Sequence, residues 1–125
     1  MPSPTSPRRV AVIGASTDRR KFGNRAVRAF VRQGYDVVPI NPHETNIEGL
    51  ATYRSVLDVP GPIDMATVYV PPETGLTLIG EIAQKGIREV WLNPGAESPA
   101  LLAAAQALGL APIEACSIVG IGETP

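Results

Sequence analysis

This sequence predicts an α/β fold: an open, mostly parallel sheet with helices on both faces. Two observations carry that prediction. A unit of apolar strand, loop, amphipathic helix, glycine and further strand recurs three times along the 125 residues. The strands are short continuous apolar runs, the pattern of a strand covered on both sides. Alternation of this kind builds βαβ units with right-handed crossovers.

The first strand is Val10 to Ile13, ending in Gly14. After a polar loop, Phe22, Ala26, Val27, Phe30 and Val31 recur at helical spacing, with Arg25, Arg28 and Arg32 on the opposite face. Gly34 stands where a left-handed C-terminal cap is needed, and Val37, Val38 and Ile40 form the second strand. Pro39 lies inside that strand and cannot donate to a ladder, so its nitrogen must face a gap, a bulge or an end of pairing. The stretch from His43 to Pro62 is less regular, with a short edge strand near Leu50 to Tyr53 and one helical turn around Val56.

The second unit starts with Ala66, Val68 and Val70, breaks at Pro71 and Pro72, and continues as a helix through Leu76, Ile79, Ile82 and Ala83. Gly86 ends it, and Glu89 to Leu92 is the next strand. In the third unit Ser98 is a good N-cap with Pro99 at the first helical position, and Leu101, Leu102, Ala105 and Leu108 form the buried stripe. Gly109 closes this helix before the last strand, Pro112 to Ala115.

Composition narrows the function. The length fits one domain with a proper core, expected over 8–125 behind a flexible tail, residues 1–7. No apolar run approaches the roughly 18–20 residues that cross a bilayer, and Met1 to Arg9 lacks a signal-type apolar segment, so a cytoplasmic location is expected. A single cysteine, Cys116, excludes an internal disulfide, and a single histidine, His43, leaves too few ligands for structural zinc. The formal net charge of −1 conceals an asymmetry, since residues 1–54 carry nine basic and four acidic side chains. Without interleaved aromatics or a basic chain overall, this points to a phosphate-bearing small molecule rather than nucleic acid.

In an open α/β sheet, ligands bind beyond the carboxyl ends of the strands. Four distinctive loops follow those ends: Gly14-Ala15-Ser16, Asn41-Pro42-His43, Pro71-Pro72-Glu73 and Asn93-Pro94-Gly95. In the first, Gly14 permits a sharp turn, Ser16 offers a hydroxyl and an N–H, and the following helix turns its open donors toward the same space. Arg19, Arg20 and Lys21 are placed to meet phosphates there, against the alternative of a tight turn with solvated basic residues. The second glycine of G-x-G-x-x-G is absent and the second strand ends in Asn41, where nicotinamide-binding domains carry an acid for the ribose; a Walker loop is absent too. Catalytic candidates are few. His43 reads as a surface loop residue, Cys116 as an inert thiol, Ser16 as a hydrogen-bonding group, Glu73 as a first-turn acid and Trp91 as core.

The runs Val10 to Ser16, Tyr35 to Pro42, Val70 to Pro72 and Val90 to Gly95 resemble the small stand-alone CoA-binding proteins, over about residues 8–122. That family is Rossmann-like and similar to the CoA-binding domain of the succinyl-CoA synthetase α subunit. The resemblance implies a coenzyme A or acyl-CoA site in which Gly14, Ala15, Ser16, Arg20 and Lys21 meet phosphates and Asn41 and Pro42 border the adenosine. Val70, Pro71 and Pro72 would line a wall, with Asn93, Pro94 and Gly95 beside the reactive end. The chain departs from the pattern at Asn93, where many relatives have glutamine, and at Ala115, where many have arginine. The synthetase's phosphorylated histidine belongs to a further domain, so His43 does not take that role. The expected function is non-catalytic binding of CoA or acyl-CoA, with no metal and no nucleic acid or membrane partner. The alternatives are an enzyme or enzyme subunit acting through Cys116 or His43, and an NAD(H)-binding redox sensor.

Overall fold

The structure, a computed structural model, describes residues 7–125. The tail expected at 1–7 therefore lies, Pro7 apart, outside the described residues. Five parallel strands, β1 (Arg9–Ile13), β2 (Asp36–Ile40), β5 (Met65–Val68), β6 (Glu89–Leu92) and β7 (Ala111–Glu114), form a sheet in the order β2-β1-β5-β6-β7. Between β2 and β5 lie a two-stranded antiparallel hairpin, β3 (Asn46–Ile47) and β4 (Leu50–Ala51), and a 3-10 turn at Val56–Asp58. The helices are α1 (Phe22–Arg32), α2 (Pro72–Gln84), α3 (Pro99–Ala107) and α4 (Ser117–Gly120).

Alternating strand residues divide between two cores, which is why the strands read as unbroken apolar runs. Ala11, Ile13, Ala66, Val68, Val90 and Leu92 pack with Ile79, Ile82, Leu101 and Ala105 of α2 and α3. Val10, Val12, Val37 and Met65 face the opposite way, onto Ala26, Val27 and Phe30 of α1 and Ile118 of α4. The sheet thus has helices on both faces, as the repeating pattern predicts.

Both edge strands contain proline. Pro39 turns its carbonyl outward to accept the Tyr53 N–H at 3.2 Å, so its ring nitrogen also faces the rim, where no ladder bond is lost. Gly34, Gly86 and Gly109, at φ +84, +86 and +78, end the helices as expected. Ser98 caps α3, its hydroxyl accepting the Leu101 N–H at 3.1 Å.

Three details differ from the sequence reading. The expected edge strand at Leu50 to Tyr53 is divided: Leu50 and Ala51 pair within the hairpin, and Tyr53 alone bridges Ile40. Phe22, Val31 and Leu76, read as apolar positions at helical spacing, and Leu108, assigned to a buried stripe, are 54, 48, 42 and 48% exposed. The inner face of α1 is instead made by small residues, Gly23, Asn24, Ala26 and Ala29, beside Val27 and Phe30, which lets the helix lie closer to the sheet. Helix α4, with no counterpart in the sequence reading, closes that face.

Gly23 fixes how close α1 comes. A Cβ there would stand 2.1 Å from the Gly14 carbonyl oxygen, a backbone atom with nowhere to move. Gly80 of α2 is exposed with nothing within 4 Å of an added Cβ. Gly23→Ala should therefore cost about 2–3 kcal/mol in urea unfolding, whereas Gly80→Ala should gain roughly 0.5–1 kcal/mol. Equal effects at the two glycines would show that this approach is not tight.

Candidate functional site

The site begins where β1 stops. Gly14, at φ +87, sends the chain over β5, and a Cβ there would stand 3.0 Å from the Tyr69 carbonyl carbon and from Val70 Cγ1. The Ser16 hydroxyl accepts the Asp18 N–H at 3.0 Å and closes the turn toward α1. At the N-cap of α1, Lys21, no side chain accepts a hydrogen bond, and the first turn holds no acid. The open N–H groups and partial positive charge of that helix end thus remain available to an anion.

Asparagine side chains tie the neighbouring loops to this one. Asn41, at the end of β2, donates from Nδ2 to the Ala15 carbonyl at 2.9 Å and accepts the N–H groups of His43 and Glu44 at Oδ1. Buried Asn24 donates to the Ser16 carbonyl at 2.9 Å and to Glu48 at 3.0 Å, and its oxygen accepts from Arg28. Asn93, 1% exposed, donates to Thr67 Oγ1 at 2.7 Å and to the Val68 carbonyl at 2.9 Å, and accepts the Ser117 N–H at 2.8 Å. Its amide is thereby committed to joining β5 and β6 to α4. Thr67, Ser117 and Tyr69 continue this network as a row of hydroxyls.

Around these loops lies a cavity of about 830 Å³. It is lined by Gly14, Ala15, Ser16 and Lys21 from the first loop and by Asn41 from the second. Val70 and Pro71 contribute from the third loop, and Asn93, Pro94 and Gly95 from the fourth. Four of the residues placed at the site from the sequence, Arg19, Arg20, Pro42 and Pro72, do not line it, and Arg19 lies 3.5 Å from Glu48 instead. Pro42 is exposed beyond Asn41, and Pro72 is the first residue of α2. Arg20 is turned away by its pairing with Asp18, Nε to Oδ1 at 3.1 Å and Nη2 to Oδ2 at 3.0 Å. His43 is exposed and also lies outside the lining, whereas half-buried Cys116 belongs to it.

Phe22, Gly23, Tyr69, Ala96, Val119 and Pro125 complete the wall and were not assigned to the site from the sequence. Gly23 alone left a trace there, a glycine on the inner face of an amphipathic helix just behind a glycine loop. Phe22 and Val119, 54 and 59% exposed, form an apolar lip at the mouth. Burial pushes the Tyr69 phenol up, opposed in part by its bond to Ser117, so it stays protonated across the physiological range.

The strand order, the cavity beyond the carboxyl ends and the helix end that opens onto it define a Rossmann-like domain. A family model described as a CoA binding domain matches residues 8–121, and the chain belongs to that family. Among curated relatives, the ADP-forming acetate–CoA ligase II subunit alpha of Pyrococcus furiosus is 36% identical over 86 residues, 68% of this chain and 19% of the subunit. The ADP-forming acetate–CoA ligase II of Archaeoglobus fulgidus is 39% identical over 84 residues, 66% of this chain and 12% of the ligase. The chain therefore spans less than a fifth of these relatives. Solved structures include a hypothetical protein of Pyrococcus horikoshii OT3, with a TM-score of 0.84 and 27% identity over 88% of this chain and 78% of that one. A conserved hypothetical protein of Pyrococcus furiosus superposes with a TM-score of 0.82 and 32% identity over 90% and 98%. No helix among the described residues is long and apolar enough to cross a membrane.

The Asp18 to Arg20 pair, in the loop before α1 and outside the cavity lining, sets a pH dependence. Hydrogen bonds from the Arg20 side chain and backbone lower the Asp18 carboxyl from 3.8 to about 2. A carboxyl lowered on folding stabilises the fold above its unfolded value and loses that contribution as pH falls through the folded one. NMR titration of Asp18 should give a midpoint of about 2, and Arg20→Ala should move it back toward the ordinary range. An unchanged midpoint in the variant would remove Arg20 as the cause.

Proposed function

We propose that the chain binds coenzyme A or acyl-CoA in the cavity beyond the strand ends and acts as a binding module rather than a catalyst. The observation that carries this reading is the uncapped N-terminus of α1 opening, with Lys21, onto a cavity whose volume suits a cofactor of this size. CoA presents a pyrophosphate and a 3′-phosphate, which need several N–H and cationic donors in one place. In this reading Gly14, Ala15, Ser16 and Lys21 receive phosphate oxygens, Asn41 and Pro42 border the adenosine, and Val70, Pro71 and Pro72 flank the chain leading away. Pro94 and Gly95 stand beside the reactive end, with Asn93 holding them from beneath. Arg20 contributes only through the turn it makes with Asp18.

Membership in the CoA binding domain family supports the choice of ligand. The engagement of Asn41 argues against NAD, since its amide oxygen already accepts the N–H groups of His43 and Glu44 and is not free to take the hydroxyl hydrogens of a ribose diol as a carboxylate would. A second reading, acyl transfer through Cys116, is favoured by the presence of that thiol in the cavity wall. Thioester hydrolysis or transfer that Cys116→Ser abolishes would favour it. A cytoplasmic location and the absence of a nucleic-acid partner belong to the same proposal.

Thermal unfolding with CoA, acetyl-CoA, NAD and ATP in parallel tests the main reading. A ligand at about 100 times its Kd should add roughly 2.7 kcal/mol, several degrees in Tm for a domain of this size. CoA and acetyl-CoA should give this rise; a rise with NAD and none with CoA would overturn the proposal. Lys21→Ala should weaken CoA about threefold to tenfold, and 3′-dephospho-CoA less if Lys21 meets the 3′-phosphate. Equal losses for the two ligands would place Lys21 at the pyrophosphate instead.

A further inference from the structure

The row of hydroxyls beneath the cavity has a direction, set at its buried end. The Ser117 backbone N–H can only donate, and it donates to Asn93 Oδ1 at 2.8 Å. That fixes the Asn93 amide, so Nδ2, a pure donor, faces Thr67 Oγ1 at 2.7 Å. Thr67 is fully buried, and the remaining partner of its hydroxyl is Ser117 Oγ at 2.7 Å. If Ser117 donated to Thr67 instead, the Thr67 hydrogen would have no acceptor in a site without water access. Thr67 therefore donates to Ser117.

Ser117 is also fully buried, and Tyr69 OH stands 3.1 Å from its oxygen. Were Tyr69 to donate to Ser117, the Ser117 hydrogen would be orphaned. Ser117 donates, Tyr69 accepts, and the Tyr69 hydrogen is left over. Tyr69 is the half-buried member of the row, and among the described residues its hydroxyl meets hydrogen-bond geometry with Ser117 alone, the nearby Thr67 being out of line for one. It is also one of the cavity-lining residues.

We infer that the Tyr69 hydroxyl is an oriented hydrogen-bond donor that recognises a carbonyl oxygen of the bound ligand, either a pantetheine amide or the thioester. The inference rests on the CoA reading and deepens it, because it assigns a specific contact to the part of the ligand beyond the phosphates. A phosphate-only ligand such as adenosine 3′,5′-bisphosphate has no carbonyl and should be indifferent to Tyr69. Tyr69 is a specificity-determining residue here, and Asn93, Thr67 and Ser117 position its proton.

Calorimetric titration of the wild type and Tyr69→Phe with acetyl-CoA, CoA and adenosine 3′,5′-bisphosphate tests this. The variant keeps the ring, and retained binding of the bisphosphate reports that the pocket is intact. The expected result is a loss of about threefold to tenfold for acetyl-CoA, with the bisphosphate unchanged. A smaller loss for CoA than for acetyl-CoA places the acceptor at the thioester, and an equal loss places it at a pantetheine amide. Wild-type binding of CoA and acetyl-CoA that Tyr69→Phe leaves intact would overturn the inference and spare the CoA reading. A uniform loss across all three ligands would also overturn it, by showing that the hydroxyl only supports the rim. Failure of the wild type to bind CoA or acetyl-CoA at all would remove the CoA reading and this inference together.

Discussion

The first turn of α1 rests directly on the loop that ends β1, with Gly23 so close to the Gly14 carbonyl that a side-chain carbon would stand 2.1 Å from it. The rest of the site depends on that contact. It draws the helix end over the strand ends, so the open N–H groups of the first turn face the cavity rather than bulk water. Gly14 makes the approach possible from the other side, at φ +87 and packed against Tyr69 and Val70. Two glycines nine residues apart in sequence thus join α1, β1 and the end of β5 in one place.

Asn41, Asn24 and Asn93 then hold the remaining pieces of the rim. Each amide makes three hydrogen bonds, to the neighbouring loop, to the hairpin region or to the segment entering α4. A polar network that is fully satisfied is stiff, because any displacement leaves a half-buried donor or acceptor unpaired. The cavity is therefore shaped before a ligand arrives, which reduces the ordering cost of binding. The same satisfaction explains why Asn41 and Asn93 line the cavity yet have little side-chain hydrogen-bonding capacity left over.

The sheet and its helices were legible in the sequence because each strand is buried on both sides and each main helix ends at a glycine, so both periodicity and punctuation point the same way. The four strand-end loops were legible for a related reason: Gly14, Pro71, Pro94 and Gly95 interrupt apolar runs. Helix α4 escaped notice because its four residues, Ser117–Gly120, are too few to show a helical period. Phe22 and Val119 were hidden for the opposite reason, as large apolar residues exposed at a cavity mouth rather than buried in a core. The pairing of Arg20 with Asp18, two residues away, was not legible, since a basic residue in a glycine loop reads the same whether it faces a ligand or a neighbouring carboxylate. Asn93 was visible as a loop residue, but its buried bonds to Thr67, Val68 and Ser117 join residues up to 26 positions apart, and no local pattern announces them.

Backbone amide NMR tests, without altering the protein, whether the open end of α1 receives the ligand's phosphates. On titration with CoA, the amide resonances of Phe22 and Gly23, with Ser16 beside them, should move most and shift downfield as the N–H groups acquire charged acceptors. The Ser98-capped end of α3, whose Leu101 N–H is already bound, should stay still. Large shifts at α3 with none at Phe22 and Gly23 would contradict the account.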